Sequence, residues 1–200
     1  MVKDLTNQLV RIISTLFVPP TFTIIVFTIF AFVLETDPIK KIVTILVALI
    51  FGFTALIVLF LTFRKRGRIV DLDASVKEER TTPFLISVGF YVIGLIILIA
   101  FNVNIISIAF WFCYISNTLV TILINRYWKI SAHAMGAAGP LAAVTFVFGP
   151  VALVFLSLVI LVGWARVRLK VHNVAQVFAG ILFAFISTYL QMFFIVKLFK

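Results

Sequence analysis

Five long stretches of this chain contain no Asp, Glu, Lys, Arg or His: residues 12–34, 42–63, 84–125, 134–165 and 173–196. Polar residues are crowded into the short segments between them. A helix that crosses a bilayer needs ~20 apolar residues, so the first, second and last stretches fit one helix each. The 84–125 stretch has 42 residues and accommodates two helices joined at Asn102-Val103-Asn104, because asparagine side chains favour turns by bonding the local backbone. The 134–165 stretch, with 32 residues, is too long for one ordinary span and short for two. Gly149-Pro150 divides it near the middle, which predicts two short or partly buried helices. The first of these opens on the small-residue run 134–139, suited to close helix–helix packing rather than lipid contact. Pro19-Pro20 predicts a kink or a delayed start in the first span. No internal repeat and no low-complexity segment interrupts the pattern. No small-residue cleavage site follows the first apolar run, so a cleaved signal peptide is not expected.

Composition agrees with the pattern. The chain has 200 residues, 64% of them hydrophobic and only 12% charged. Mean hydropathy is +1.25. A soluble domain carries about 25% charge, so soluble, secreted disulfide-rich and disordered classes are excluded. The expected fold is all-α: a single integral-membrane domain over 1–200, a polytopic transmembrane bundle of about six to seven helices. Within it, 1–69 forms an N-terminal two-helix region, 70–185 carries the polar motifs, and 173–197 is the last helix. The single cysteine, Cys113, excludes an intrachain disulfide.

Charge placement sharpens this picture. The net charge is +10, which in so apolar a chain points to anionic headgroups or phosphates rather than nucleic acid. All seven carboxylates lie within the first 79 residues, and none follows Glu79. Paired-carboxylate chemistry is therefore not expected in the C-terminal part. With alternating spans, the N-terminus and segments 64–83, 126–133 and 166–172 share one face and hold 13 of the 17 Lys and Arg residues. The positive-inside rule makes that face cytoplasmic, with Arg64-Lys65-Arg66-Gly67-Arg68 as the clearest topological signal. Trp128 and Trp164, at span ends on the same face, agree.

Three polar segments meet on that face, and both histidines lie in them. They contain Lys77 and Arg80, then Lys129, Ser131 and His133, then Arg166, His172 and Gln176. Imidazoles act as nucleophile or general acid near neutral pH. Arginine grips phosphate oxygens bidentately, and lysine supplies a point charge. This combination predicts a phosphoryl-transfer site.

These segments resemble the three signature motifs of the type 2 phosphatidic acid phosphatase (PAP2) superfamily, K-x6-RP, PSGH and SR-x5-H-x3-D. The third motif matches in spacing from Arg166 to His172, with Gln176 where the family has Asp. Ser131-Ala-His133 stands for the second. Lys77-Glu-Glu-Arg80-Thr-Thr-Pro83 stands for the first, with a shorter Lys-to-Arg gap and a displaced Pro. The resemblance implies a PAP2-like core and a metal-independent lipid phosphatase without cofactors. His172 would be the nucleophile that forms a phosphohistidine, and His133 would protonate the leaving lipid alkoxide. Arg166, Arg80, Lys77, Lys129 and Ser131 would hold the phosphate. Gln176, four residues past His172 on a helix, would orient it in place of the family Asp, without that residue's negative charge. The substrate would be a lipid phosphate such as phosphatidic acid, phosphatidylglycerol phosphate or a polyprenyl (di)phosphate, met on the cytoplasmic side of the plasma membrane.

Two alternatives remain open from the sequence. A catalytically weak or inactive protein of the same fold would bind or carry lipid phosphates. A prenyltransferase would use Asp71 and Asp73 with Mg2+, although no second Asp-rich motif accompanies them. Asp71 and Asp73 are also candidates to replace the missing family Asp in space. Asn117, Asn125 and Gln191, in or at the end of apolar spans, are expected to hydrogen-bond between helices.

Overall fold

The computed structural model describes residues 2–71 and 76–199, with side chains from Gln8 onward. Among the described residues the chain is helical throughout and has no strand. The helices are α1 (Val2–Leu16), α2 (Pro19–Leu34), α3 (Pro38–Lys65), α4 (Lys77–Ala100), α5 (Ile105–Tyr127), α6 (Ala132–Phe148), α7 (Pro150–Arg168) and α8 (Val174–Phe199). Helices α3, α4, α5, α7 and α8 are each long and apolar enough to cross a membrane. Helices α1 and α2 pass the same test together, but they meet at a 48° bend. The chain is an integral membrane protein built as an all-α bundle.

The breaks fall at the expected residues, for visible reasons. Asn102 takes a left-handed φ of 48° and Asn104 caps α5 by accepting from the Ile106 N–H. The buried Glu35 accepts from the Asn104 N–H at 2.6 Å, tying the α2–α3 turn to the α4–α5 turn. At the other break Gly149 has φ 75° and ψ −166°, a conformation essentially confined to glycine, and Pro150 then starts α7 with a 3-10 turn. The first apolar stretch is not one straight span. Pro19 and Pro20 start α2, which is pre-set for proline at its first positions, and α1 stands apart as an amphipathic helix. Its exposed residues Leu9, Ile12 and Leu16 make one apolar stripe, and Val10 and Ser14 face the protein.

Helix α6 is the centre of the bundle. It packs most extensively on α8 and also on α2 and α7. Its first half is almost wholly buried, from His133 to Ala143. With protein rather than lipid around it, seventeen residues suffice. Small residues allow the close approach: a Cβ on Gly136 would lie 2.5 Å from the Pro19 ring. A second core joins α2 to α5 through Phe27, Phe30, Phe110 and Trp111. Helices α5 and α8 are joined by a polar network. Asn117 donates to the Thr188 hydroxyl at 3.0 Å and accepts from Ser187 and Gln191, and Ser116 donates to Gln191. Asn125 departs from expectation: its Oδ1 accepts from the Ile130 N–H, so it closes the turn after α5 instead of bridging helices.

Candidate functional site

All three polar segments reach one end of the bundle, where α4, α6 and α8 begin and α7 ends. Arg80 lies in the opening 3-10 turn of α4, and His133 is the second residue of α6. Arg166 lies in the last turn of α7, where the helix dipole favours a cation. His172 precedes α8. Arg80, Arg166, His133 and His172 are all buried. These four side chains are thus turned inward, while Arg64, Arg126 and Arg168 at the same end are exposed.

Local chemistry orients His172. Asn173 caps α8 by accepting from the Gln176 N–H at 2.9 Å, and the Gln176 Oε1 accepts from the Asn173 N–H at 3.2 Å. This reciprocal cap makes the Gln176 oxygen, not its nitrogen, the atom facing His172 Nδ1 at 3.0 Å. Nδ1 therefore carries the proton. On the other side of the ring, an Arg80 guanidinium nitrogen lies 3.5 Å from Nε2. Arginine only donates, so Nε2 presents its lone pair. Burial first, and then the positive charges of Arg80 and Lys129, push the His172 pKa down to about 3, with the Gln176 contact opposing. This makes His172 a neutral imidazole at pH 7, with the Nε2 lone pair turned towards Arg80.

The cations around it are held firmly. Arg80 donates from Nη1 to the Ile130 carbonyl at 2.8 Å, fixing α4 to the segment before α6. Lys129 donates to the Val171 carbonyl at 2.6 Å, under the turn that carries His172. Arg166 donates to the Ser14 hydroxyl at 2.7 Å. Arg80 and Arg166 are electrostatic neighbours of both imidazoles.

Two predicted phosphate ligands sit differently. Lys77 is half-exposed, donates to the Arg126 carbonyl at 3.4 Å and pairs with Glu78 at 3.7 Å. Those contacts lie outside the cluster. The Ser131 Oγ accepts from the Ala134 N–H and is the N-cap of α6, while its backbone N–H donates to the Gln176 carbonyl. Its visible task is to bind the starts of α6 and α8 together. Asp73 lies outside the described residues. Among the described residues no three of His, Cys, Asp and Glu converge in a way that could hold a metal ion.

The cluster borders a cavity of about 720 Å³. Arg80, His133 and Asp71 line its polar end, and Leu56, Phe60 and Phe84 give it an apolar wall. Tyr91, Tyr114 and Thr188 line it further along the bundle. Arg166 and His172 stand just behind this lining, in contact with Ser14 and Arg80, which belong to it. Three lining residues carry no signal in the motifs: Arg11, Ser14 and Arg64. Ser14 and Arg11 come from α1, and only its amphipathic period, with Ser14 opposite the apolar stripe, hints at an inward-facing side.

No family model, no curated protein and no solved structure matches this chain.

Proposed function

We propose that this chain is a metal-independent lipid phosphate phosphatase of the type 2 phosphatidic acid phosphatase kind. One observation carries the reading: a neutral His172, with Nδ1–H held by Gln176 and the Nε2 lone pair beside Arg80, stands just behind the polar end of an amphiphile-sized cavity, which Arg80 and His133 line. A cavity of about 720 Å³ lies within the roughly 300–1,000 Å³ usual for small-molecule sites.

In this mechanism the Nε2 lone pair attacks phosphorus and the bond from phosphorus to the lipid oxygen breaks. Binding of the anionic phosphate draws a proton from solvent onto His133, which is otherwise neutral, and His133 gives that proton to the departing alkoxide, leaving an N-phosphorylated His172 and a neutral His133. Arg80 and Arg166 offset the charge on the phosphoryl oxygens, the kind of preorganised electrostatic term that usually dominates catalysis. A water then attacks phosphorus, His133 takes back a proton, and phosphate departs. Gln176 keeps the proton on Nδ1 throughout.

Phosphate release by the purified protein in micelles of phosphatidic acid, phosphatidylglycerol phosphate or a prenyl diphosphate, with EDTA present, tests the reading. Release that His172→Ala abolishes supports it, whereas equal release by His172→Ala sinks the mechanism. The neutral Gln176 at the position of the family Asp favours a second reading, a lipid-phosphate binder with little or no turnover. Saturable binding without release would select it. The charge bias favours the cytoplasmic face for the site, and the membrane proposed is the plasma membrane. Arg168→Cys, with the buried Cys113 as the only other thiol, tests this in intact cells: labelling by an impermeant maleimide before permeabilisation overturns the assignment.

A further inference from the structure

The charges on the cavity wall are more numerous than one phosphate requires. Three guanidiniums line it, Arg11, Arg64 and Arg80, against one carboxylate, Asp71. Arg80 is committed to the Ile130 carbonyl and to His172. Arg11 and Arg64 differ. Among the described residues neither guanidinium makes a hydrogen bond or an ion pair. They come from separate elements, α1 and the last turn of α3, and the fold brings both to the same cavity.

Topology alone does not account for the pair. Arg64 does belong to the basic run that follows a span, but Lys65, Arg66 and Arg68 of that run do not line the cavity. Arg11 lies on the amphipathic helix α1. It is placed away from the Leu9, Ile12 and Leu16 stripe, beside Ser14 and Thr15, which also line the cavity. Arginine is the side chain best matched to phosphate oxygens, through its planar pair of donors.

We propose that Arg11 and Arg64 form a second anion subsite, which takes the second phosphate of a lipid whose head group carries two. The inference rests on the phosphatase reading for the first phosphate, at Arg80 and the histidines. It narrows the substrate from lipid phosphates in general to two-phosphate lipids, either a lipid diphosphate or a phosphomonoester joined to a phosphodiester. The cavity has room for such a head group and the first part of an apolar chain.

The test compares the full-length protein with Arg11→Gln/Arg64→Gln in detergent micelles. The probes are phosphatidic acid, a prenyl diphosphate and phosphatidylglycerol phosphate. In the unaltered protein, kcat/KM is expected to favour at least one two-phosphate lipid over phosphatidic acid. The double variant is expected to reduce that preference about tenfold, mainly through KM, and the lipid most affected identifies the phosphate spacing. An equal loss on all three lipids, or no loss on any, overturns the subsite. Binding of the same lipids to His172→Ala, with and without the two Arg→Gln changes, reads the subsite independently of turnover. If the unaltered protein releases no phosphate, the phosphatase reading fails. The subsite then stands or falls on whether the Arg→Gln changes weaken binding of two-phosphate lipids selectively.

Discussion

Ser14 and Arg166 are 152 positions apart, yet the Ser14 hydroxyl accepts a 2.7 Å hydrogen bond from Arg166 Nη1 in a buried contact. The partners come from α1 and the last turn of α7. The amphipathic N-terminal helix is therefore part of the candidate site's framework. A buried guanidinium that loses a partner bears a desolvation cost of about 1–3 kcal/mol or more. Ser14→Ala is expected to lower kcat/KM about tenfold and to destabilise the protein by a comparable free energy, while Ser14→Thr restores most of both. Steady-state kinetics and thermal unfolding in micelles check this. Unchanged values in Ser14→Ala would detach α1 from the site.

Gln176 is the second lever. Its Oε1 is locked by the Asn173 N–H and accepts from His172 Nδ1. Gln176→Leu removes the acceptor, so the ring can flip or take the other tautomer. Turnover is expected to fall roughly 10- to 100-fold with little change in KM, since outer partners of a reacting imidazole matter on about that scale. Gln176→Asp adds the charge that stabilises an imidazolium, and it is expected to raise kcat and to move the acid limb of the pH profile upward. A Gln176→Leu variant with full activity would remove Gln176 from the mechanism.

The His172 pKa makes a pH prediction with a definite sign. It is lowered from 6.5 to about 3 in the folded protein. Below pH 6.5 the unfolded chain takes up a proton that the folded protein refuses, so stability rises with pH in that range. The contribution is complete above about pH 6.5 and is lost progressively as pH falls towards 3. Thermal midpoints measured between about pH 7 and about pH 4 should drop more steeply in the unaltered protein than in His172→Gln. Parallel curves would contradict the buried, neutral imidazole.

Packing gives a prediction independent of any activity. A Cβ on Gly94 would sit 2.5 Å from Trp111 Cζ2, and the Trp111 indole is tied to the Tyr91 carbonyl at 2.7 Å. The ring cannot move aside without losing that bond. Gly94→Ala is expected to cost about 1–3 kcal/mol. A Cβ on Gly89, five residues earlier in the same helix, would meet nothing within 4 Å, so Gly89→Ala is tolerated. Differential scanning of the two variants in the same detergent compares them directly.

Much of this architecture is legible in the sequence because its determinants are local. Asn102 to Asn104 and Gly149-Pro150 break the helices through their own backbone preferences. The sequence spacing brings Gln176 to His172, though through the Asn173 cap rather than along a helix face, because His172 precedes α8. Other features depend on contacts between distant segments and leave no periodic trace. Nothing near Ser14 announces Arg166. Nothing near Lys77 says that its ammonium reaches the Arg126 carbonyl instead of the histidines. Ser131 has the residue type of a phosphate ligand, but it is equally the type that caps a helix, and only the neighbouring Ala134 N–H decides between them.

The wide π stretch at Ala48–Thr54 interrupts α3 halfway along. One extra residue in a helical turn rotates everything beyond it by roughly 100° about the axis. Leu56, Phe60 and Arg64 follow that stretch at four-residue intervals, and all three line the cavity. The wide turn therefore works as an angular offset. It sets which side of α3 carries the apolar wall and the Arg64 guanidinium, and a deletion of one residue there would turn both away from the cavity without altering a single residue of the histidine cluster.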